Sequence, residues 1–335
     1  MQVRKKNSFL VRLFSSFFLI GLLLFVLSRF FLFSRDAEDK AKTSFLEFSE
    51  HYSVFAVPIP KNVNFAGENV PVDNYDVFES LDREFLVNTY WQSQTLLFIK
   101  RANKYFPIIE PILKENNIPE DFKYLVLAES GLMNVVSPSK AVGFWQFMKK
   151  TGQQYGLIIN KNIDERYHIE KATQAACKYL NDAYKIFKNW TLVAASYNMG
   201  MASLKRELNN QHVSSYYDLY LNRETSRYVY RVIAIKYILS NPKKYGFYFK
   251  KKDLYTYPEY VLDTIDTTIN SLEDFAISKS VNLKLLKDLN PWIRGRALKN
   301  PDSINYVIKI PVKRNLFKKY FSEEQATDLS VRDSI

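Results

Sequence analysis

Residues 123–156 read KYLVLAESGLMNVVSPSKAVGFWQFMKKTGQQYG. The run from 122 to 128 is apolar on all sides, which predicts a helix buried in a core. Glu129 follows at once, and a Ser-Gly pair then breaks the run. A polar loop leads on to Gly143 and an aromatic segment. An acid at the end of a buried helix, facing a loop rich in Gly, Trp and Gln, indicates a site and not a surface.

The chemistry of Glu129 follows from this position. The preceding helix partly desolvates the carboxyl, and the helix C-terminus disfavours negative charge there, so both effects raise its pKa. A raised pKa is what a general acid needs at neutral pH. The alternative is a solvated helix-end acid with no catalytic role, since most acids are exposed surface residues.

Composition excludes several classes of function. The net charge is +12, but residues 1–35 hold six basic residues and no acid, which leaves 41 basic and 35 acidic residues elsewhere. That balance is too diffuse to indicate nucleic acid. One cysteine and three histidines provide no disulfide and no Cys/His metal site, and we expect neither metal nor cofactor. The apolar surroundings of Cys177 predict a small buried residue and not a reactive thiol.

The N-terminal segment, residues 1–35, is basic and then mostly apolar. The stretch from residue 9 to residue 33 is long enough to span a bilayer if the side chains of its two arginines extend to the membrane interface. The positive charges before it predict a cytoplasmic N-terminus and an exported remainder. A cleaved signal peptide is the alternative, although no A-x-A pattern follows the apolar run. We therefore favour an inner-membrane anchor. Residues 36–75 are polar and contain prolines, which predicts an extended spacer.

Residues 76–242 show helical periodicity almost throughout, with a separate short helix predicted near Ile108–Leu113. After a basic connector at 243–252, β-type residues appear at 254–257 and 260–262. Two short helices and a strand at 306–311 follow. Residues 253–315 therefore predict a small α+β module, and 316–335 form a polar tail.

Three separated motifs accompany Glu129-Ser130-Gly131. They are Gly143-x-Trp145-Gln146-Phe147-Met148-x-x-Thr151-Gly152-x-x-Tyr155-Gly156-Leu157, Ala195-Ser196-Tyr197-Asn198-Met199-Gly200, and Glu224-Thr225-x-x-Tyr228-Val229. In this order and spacing they resemble the lysozyme-like lytic transglycosylases of glycoside hydrolase family 23, most closely the membrane-bound type D group. The resemblance covers residues 76–315 and implies a mainly α fold with a goose-type lysozyme, or SLT, catalytic domain.

The resemblance also implies a reaction. Glu129 would be the single acid/base that cleaves the β-1,4 bond between N-acetylmuramic acid and N-acetylglucosamine and leaves a 1,6-anhydromuramic end. In the sequence, no second acid follows Glu129 until Asp164, whereas most glycosidases need two carboxylates. An acid from elsewhere in the fold stays open. A hydrolytic lysozyme on the same fold and a non-catalytic wall-binding protein are the alternative functions.

Other motif residues are candidates for substrate contact. Ser130 would bond Glu129 or the substrate, Gly143 would let the backbone approach the sugar, and Gln146 offers an amide for an N-acetyl group or hydroxyl. Tyr197 and Tyr228 would stack on sugars or bond Glu129 through their hydroxyls, and Asn198 would orient an acetamido group. Phe147 and Met148 belong to the same set, but core packing is the stronger alternative for them and for Trp145.

The C-terminal module resembles a degenerate LysM glycan-binding module. The resemblance is carried by Ile269-x-x-Leu272-x-x-Phe275-Ala276, by Leu289-Asn290-Pro291 and by the strand at 306–311. A structural appendage on the catalytic domain is the alternative. Together the resemblances imply a protein of the cell envelope, with peptidoglycan glycan strands and a membrane as its partners.

Overall fold

The computed structural model describes residues 21–25, 27–29, 54–301 and 303–312. The chain divides into two compact units, Met1–Ala56 and Val57–Ile335. In the first unit, residues 21–25 and 27–29 are helical. Within the described residues, no helix has the length and apolar character needed to cross a bilayer. Most of the predicted anchor, and the tail at 316–335, lie outside the described residues.

The second unit begins with a hairpin of two short antiparallel strands, β1 (Asn64–Phe65) and β2 (Glu68–Asn69). Phe65 is fully buried against the ring of Phe122, and the Glu68 carboxylate accepts hydrogen bonds from the backbone of Trp190 and Thr191. Part of the predicted 36–75 spacer is therefore packed on the helical domain, because its valines and Phe65 fill that core.

Eight α-helices follow in the described residues between 75 and 240. They are α1 (Tyr75–Tyr90), α2 (Gln92–Glu115), α3 (Lys123–Ser130), α4 (Lys149–Gln154), α5 (Ile169–Phe187), α6 (Trp190–Met199), α7 (Met201–Gln211) and α8 (Thr225–Ser240). Short 3-10 helices occupy Glu120–Phe122, Glu165–Tyr167, Tyr216–Asp218, Pro242–Tyr245 and Lys251–Asp253. The predicted separate helix at 108–113 is instead the end of α2, which runs through two prolines without a break.

Helix α8 occupies the centre of this arrangement and contacts α1, α3 and α6. Its apolar residues, among them Val229, Val232 and Ile233, are fully buried. Helix α3 packs between α2 and α8, and its residues 123–127 are buried, as its apolar sequence predicts. The short helix that carries the acid is thus held from both sides by longer ones.

The C-terminal module consists of β3 (Tyr260–Ile265), α9 (Leu272–Ser278), α10 (Leu283–Leu289) and β4 (Tyr306–Pro311). β3 and β4 pair antiparallel, with Tyr260 opposite Pro311 and Ile265 opposite Tyr306. Ser271 and Asn282 cap the two helices through their side chains. The β-type residues at 254–257 form no strand, because the backbone of Tyr255 bonds to α2 instead.

The module and the helical domain share a core. Val142, Ile163 and Tyr167 of the helical domain are buried in one cluster with Trp292 and Ile293 of the module. The Asp164 amide donates to the Trp292 carbonyl at 2.9 Å, so the junction also carries backbone hydrogen bonds. The predicted mainly α fold with a small α+β module is confirmed, and the module packs directly on the helical domain.

Candidate active site

Glu129 lies in the last turn of α3, half-buried at the wall of a cleft of about 340 Å³. Gly131 ends the helix in the left-handed conformation at φ +60°, which turns the chain sharply away after the acid. The cleft wall also includes Val87, Asn88, Trp91, Gln94, Phe98, Arg227 and Arg231. Glu84 lines the cleft as well, so two acids, two cations, two amides and aromatic surface face one space.

The closest polar partner of Glu129 is Tyr228 of α8. The Tyr228 hydroxyl donates a hydrogen bond to Oε1 of Glu129, which is one of the two roles predicted for Tyr197 and Tyr228. Because Tyr228 is only 3% exposed, its ring packs in the core and has no free face for a sugar. Tyr228 therefore contacts the acid, and its ring is not placed to stack on a ligand.

Burial raises the pKa of Glu129 to about 7, and the negative charge of Glu224 adds to the rise. The hydrogen bond from Tyr228 and the positive charge of Arg231 oppose it. The carboxyl thus titrates near neutral pH, where it can both donate and accept a proton. This agrees in direction with the expectation from the sequence.

The loop that follows α3 is held by its own polar groups. Ser130 was predicted to bond Glu129 or the substrate; its hydroxyl donates to the Phe144 carbonyl at 2.7 Å and not to Glu129. The Gln146 amide donates to the carbonyls of Gly143 at 2.7 Å and Val135 at 3.2 Å. The donor groups of both side chains are therefore hydrogen-bonded to carbonyls of the loop beside the acid. Ser130 also lines the cleft.

Gly143 was predicted to let the backbone approach a sugar, but the structure gives another reason for a glycine at this position. Its φ is +81°, and a Cβ there would lie 2.0 Å from the Arg166 carbonyl oxygen. The close approach is thus to another part of the backbone. The Arg166 guanidinium donates to the Phe147 carbonyl at 3.1 Å and forms a salt bridge with Asp164. These two contacts fix the loop to residues 164–166.

The aromatic part of the same motif is mostly core. Trp145 is fully buried and donates its indole N–H to Thr173, and Phe147 is buried against Tyr197. Met148, in contrast, is 45% exposed and lies outside the cleft wall. The core interpretation holds for Trp145 and Phe147.

Tyr197 and Asn198 lie at the end of α6. The Tyr197 hydroxyl donates to the Trp145 carbonyl at 2.7 Å, while its ring contacts Trp145, Phe147 and Tyr179. Asn198 accepts from Thr225 at 2.9 Å and lines a second cavity of about 560 Å³ together with Glu224. Of the predicted residues, the structure brings Glu129, Ser130 and Tyr228 together, and Asn198 stands at this neighbouring cavity.

Six polar or aromatic residues of the cleft were missed from the sequence: Glu84, Asn88, Trp91, Gln94, Arg227 and Arg231. Trp91, between α1 and α2, is 59% exposed at the cleft wall, and Glu84 of α1 is only 1% exposed there. A solvent-facing tryptophan between two amphipathic helices was the available signal for Trp91. Glu84 had no signal, because an acid in an amphipathic helix normally faces water.

Other reactive groups are sparse in the part of the chain that the structure describes. No cluster of three or more His, Cys, Asp or Glu side chains is arranged to hold a metal ion within those residues. Cys177 is fully buried, and burial raises the pKa of its thiol to about 12, so the predicted inert packing role is confirmed.

Comparison with known proteins agrees with this geometry. Residues 106–219 match the family model described as Transglycosylase SLT domain, and residues 262–314 match the Soluble lytic transglycosylase C-terminal LysM-like domain. The proteins named Membrane-bound lytic murein transglycosylase D from Escherichia coli K12 and from E. coli O6:H1 are each 28% identical over 204 residues. These cover 59% of this chain and 44% of each relative, so the chain spans less than half their length. The predicted resemblance is confirmed.

Proposed function

We propose that this chain, which carries an SLT domain followed by a LysM-like module, is a peptidoglycan lytic transglycosylase with Glu129 as its acid/base. The observation that carries the proposal is the contact between Glu129 and Tyr228 at the wall of an open cleft. A carboxyl that titrates near pH 7 can give a proton to a leaving group and then take one back.

The proposed reaction has two proton transfers and consumes no water. The protonated carboxyl of Glu129 gives its proton to the glycosidic oxygen, and the bond from that oxygen to C1 of N-acetylmuramic acid breaks. The 6-hydroxyl of the same sugar forms a bond to C1, and Glu129 takes the proton that this hydroxyl releases. A 1,6-anhydromuramic end and a free N-acetylglucosamine hydroxyl result. Glu129 returns to its protonated form.

Hydrolysis by a lysozyme mechanism is the second candidate, and Glu224 favours it. This acid is exposed, lines the cavity beside the cleft and raises the pKa of Glu129, so it could activate a water. Glu84 is a poor second catalyst, because it is buried and bonded to two arginines. A non-catalytic wall-binding role is disfavoured by the intact acid in an open cleft.

Glycan strands are the proposed ligand of the cleft and its neighbouring cavity. Trp91 offers a stacking surface, Asn88 and Gln94 offer amides, and Asn198 offers an acetamido partner in the second cavity. We assign supporting roles to Ser130, Gly143, Gln146, Phe147 and Tyr197, which hold the loop and its packing, while Met148 is a candidate contact from its exposed position.

The proposed location is the cell envelope. The names of the two relatives describe membrane-bound murein transglycosylases, and residues 1–35 have the sequence of an anchor. Residues 36–56 would then connect the membrane to the domain that begins near Val57. The LysM-like module supports binding to peptidoglycan as well.

The test is digestion of purified peptidoglycan with the full chain, followed by mass analysis of the released muropeptides. We expect anhydromuramic ends from the wild type and none from Glu129→Gln. Glu115→Gln, which removes an exposed acid at the end of α2, is the matched control and should retain activity. Reducing ends would favour the lysozyme mechanism, and equal release by the Glu129 variant would rule out the assigned catalyst.

A further inference from the structure

Glu84 of α1 is a buried carboxylate surrounded by arginines at the cleft wall. Its Oε1 accepts from Arg83 at 2.6 Å and from Arg227 at 2.7 Å, and its Oε2 lies 3.8 Å from Nε of Arg231. Only 1% of the residue is exposed, and within the described residues Oε2 accepts no hydrogen bond. An ionised carboxylate is tolerated at such a place only when cations compensate it.

The same arginines stand beside the catalytic acid. Arg227 and Arg231 lie one turn apart on α8, on either side of Tyr228 in sequence, and both line the cleft with Glu129. The charge of Arg231 pulls the Glu129 carboxyl toward its ionised form. Glu84 draws both guanidiniums toward α1 and cancels part of their field.

The groups that act on Glu129 come from several elements. Tyr228 and the two arginines belong to α8, Tyr197 to α6, Glu224 to the chain before α8, and Glu84 to α1, while Arg101 of α2 donates to the Gly131 carbonyl beside the acid. Arg231 and the Tyr228 hydroxyl favour ionised Glu129, whereas burial and Glu224 favour the protonated form. Without Glu84, Arg231 would lose the carboxylate that lies 3.8 Å from its Nε.

We propose that Glu84 is a positioning residue that holds Arg227 and Arg231 in charge balance, so that Glu129 stays protonated in the state from which it acts. Its influence on the reaction passes through the arginines, since its own carboxylate is buried and bonded. The inference rests on the proposed role of Glu129 as the general acid.

The direct test is titration of Glu129 by NMR in the full chain with ¹³C-labelled glutamate carboxyls, its signal being identified by its loss in Glu129→Gln. In Glu84→Gln we expect the pKa of Glu129 to fall by about 1 unit, as for a carboxylate that gains an unbalanced cation. The double variant Glu84→Gln/Arg231→Gln should bring the value back. Glu79→Gln, which removes the same charge from an exposed position of α1, should leave it unchanged.

An unchanged Glu129 titration in folded Glu84→Gln would overturn the inference. If that variant does not fold, the double variant is compared with Arg231→Gln: Arg231→Gln alone should raise the pKa of Glu129, and an equal value in the double variant would overturn the inference. The profile of glycan cleavage against pH is the second readout, and its alkaline limb should move to lower pH in Glu84→Gln. A wild type that cleaves nothing rejects the proposed function, while the titration still decides whether Glu84 controls Glu129.

Discussion

Replacing Glu129 by Gln should stabilise the protein at alkaline pH while it abolishes activity. The pKa of Glu129 is raised from 4.5 to about 7 in the folded state, mainly by burial. The folded state therefore binds more protons than the unfolded state between these two values. Stability must then fall as the pH rises through this window and stay level above it. Gln keeps the shape and can still accept from Tyr228, but it carries no charge.

The size of the effect follows from the same two values. The difference between 4.5 and about 7 corresponds to about 3 kcal/mol, because each pKa unit is worth ~1.4 kcal/mol. Since the carboxyl still reaches the open cleft, we expect about 2 kcal/mol at pH 8. In a domain of this size that corresponds to a rise in Tm of about 4–8 °C. At pH 4, where the acid is protonated in the folded state, the two proteins should unfold together.

The assay is thermal unfolding of wild type and Glu129→Gln at a series of pH values from 4 to 8, with Glu115→Gln as the control at an exposed position. The gap between wild type and Glu129→Gln should open only above pH 4.5, and Glu115→Gln should follow the wild type throughout. A gap that is independent of pH, or a less stable Gln variant at pH 8, would refute the idea that burial of this acid costs folding free energy.

Three further outcomes are expected. Tyr228→Phe removes the hydrogen bond that favours the ionised acid, so the alkaline limb of the cleavage profile should move to higher pH; a limb that moves down contradicts the assigned contact. Gly143→Ala should lower the free energy of unfolding by about 3 kcal/mol or more, since its Cβ meets a carbonyl, whereas Gly67→Ala, with φ +81° and open space, should cost only ~1 kcal/mol in chemical denaturation. Trp91→Ala should raise KM for glycan strands about tenfold with Tm unchanged; a loss of Tm alone would make Trp91 structural.

Much of the fold is readable from the sequence because its signals are local. The apolar run of α3, the glycine after it and the capping Ser271 and Asn282 each act within one turn. The prediction of helix boundaries from local sequence was less accurate. The apolar pattern predicted a separate short helix near Ile108–Leu113, but this stretch is the end of α2, which packs against α3 and α5.

Part of the site was equally accessible. Glu129 stands out because an acid directly after a buried apolar run is uncommon, and the motifs gave Tyr197 and Tyr228 as possible partners, of which only Tyr228 bonds the acid. The uses of Ser130 and Gly143 were not accessible, because they depend on where the Phe144 and Arg166 carbonyls lie. The sequence does not show which distant group a serine hydroxyl or a glycine will contact in the folded chain.

The sequence by itself determined the helical character of residues 76–242, the burial of α3 and the identity of the candidate acid, since these depend on periodicity and on neighbours within a few positions. Only the tertiary structure decided what surrounds that acid. Tyr228 meets Glu129 across 99 residues, and Arg227 meets Glu84 across 143, because α8 packs against both α3 and α1. The pKa of a carboxyl depends on burial and on charges within a few ångströms, and those are properties of the packed chain.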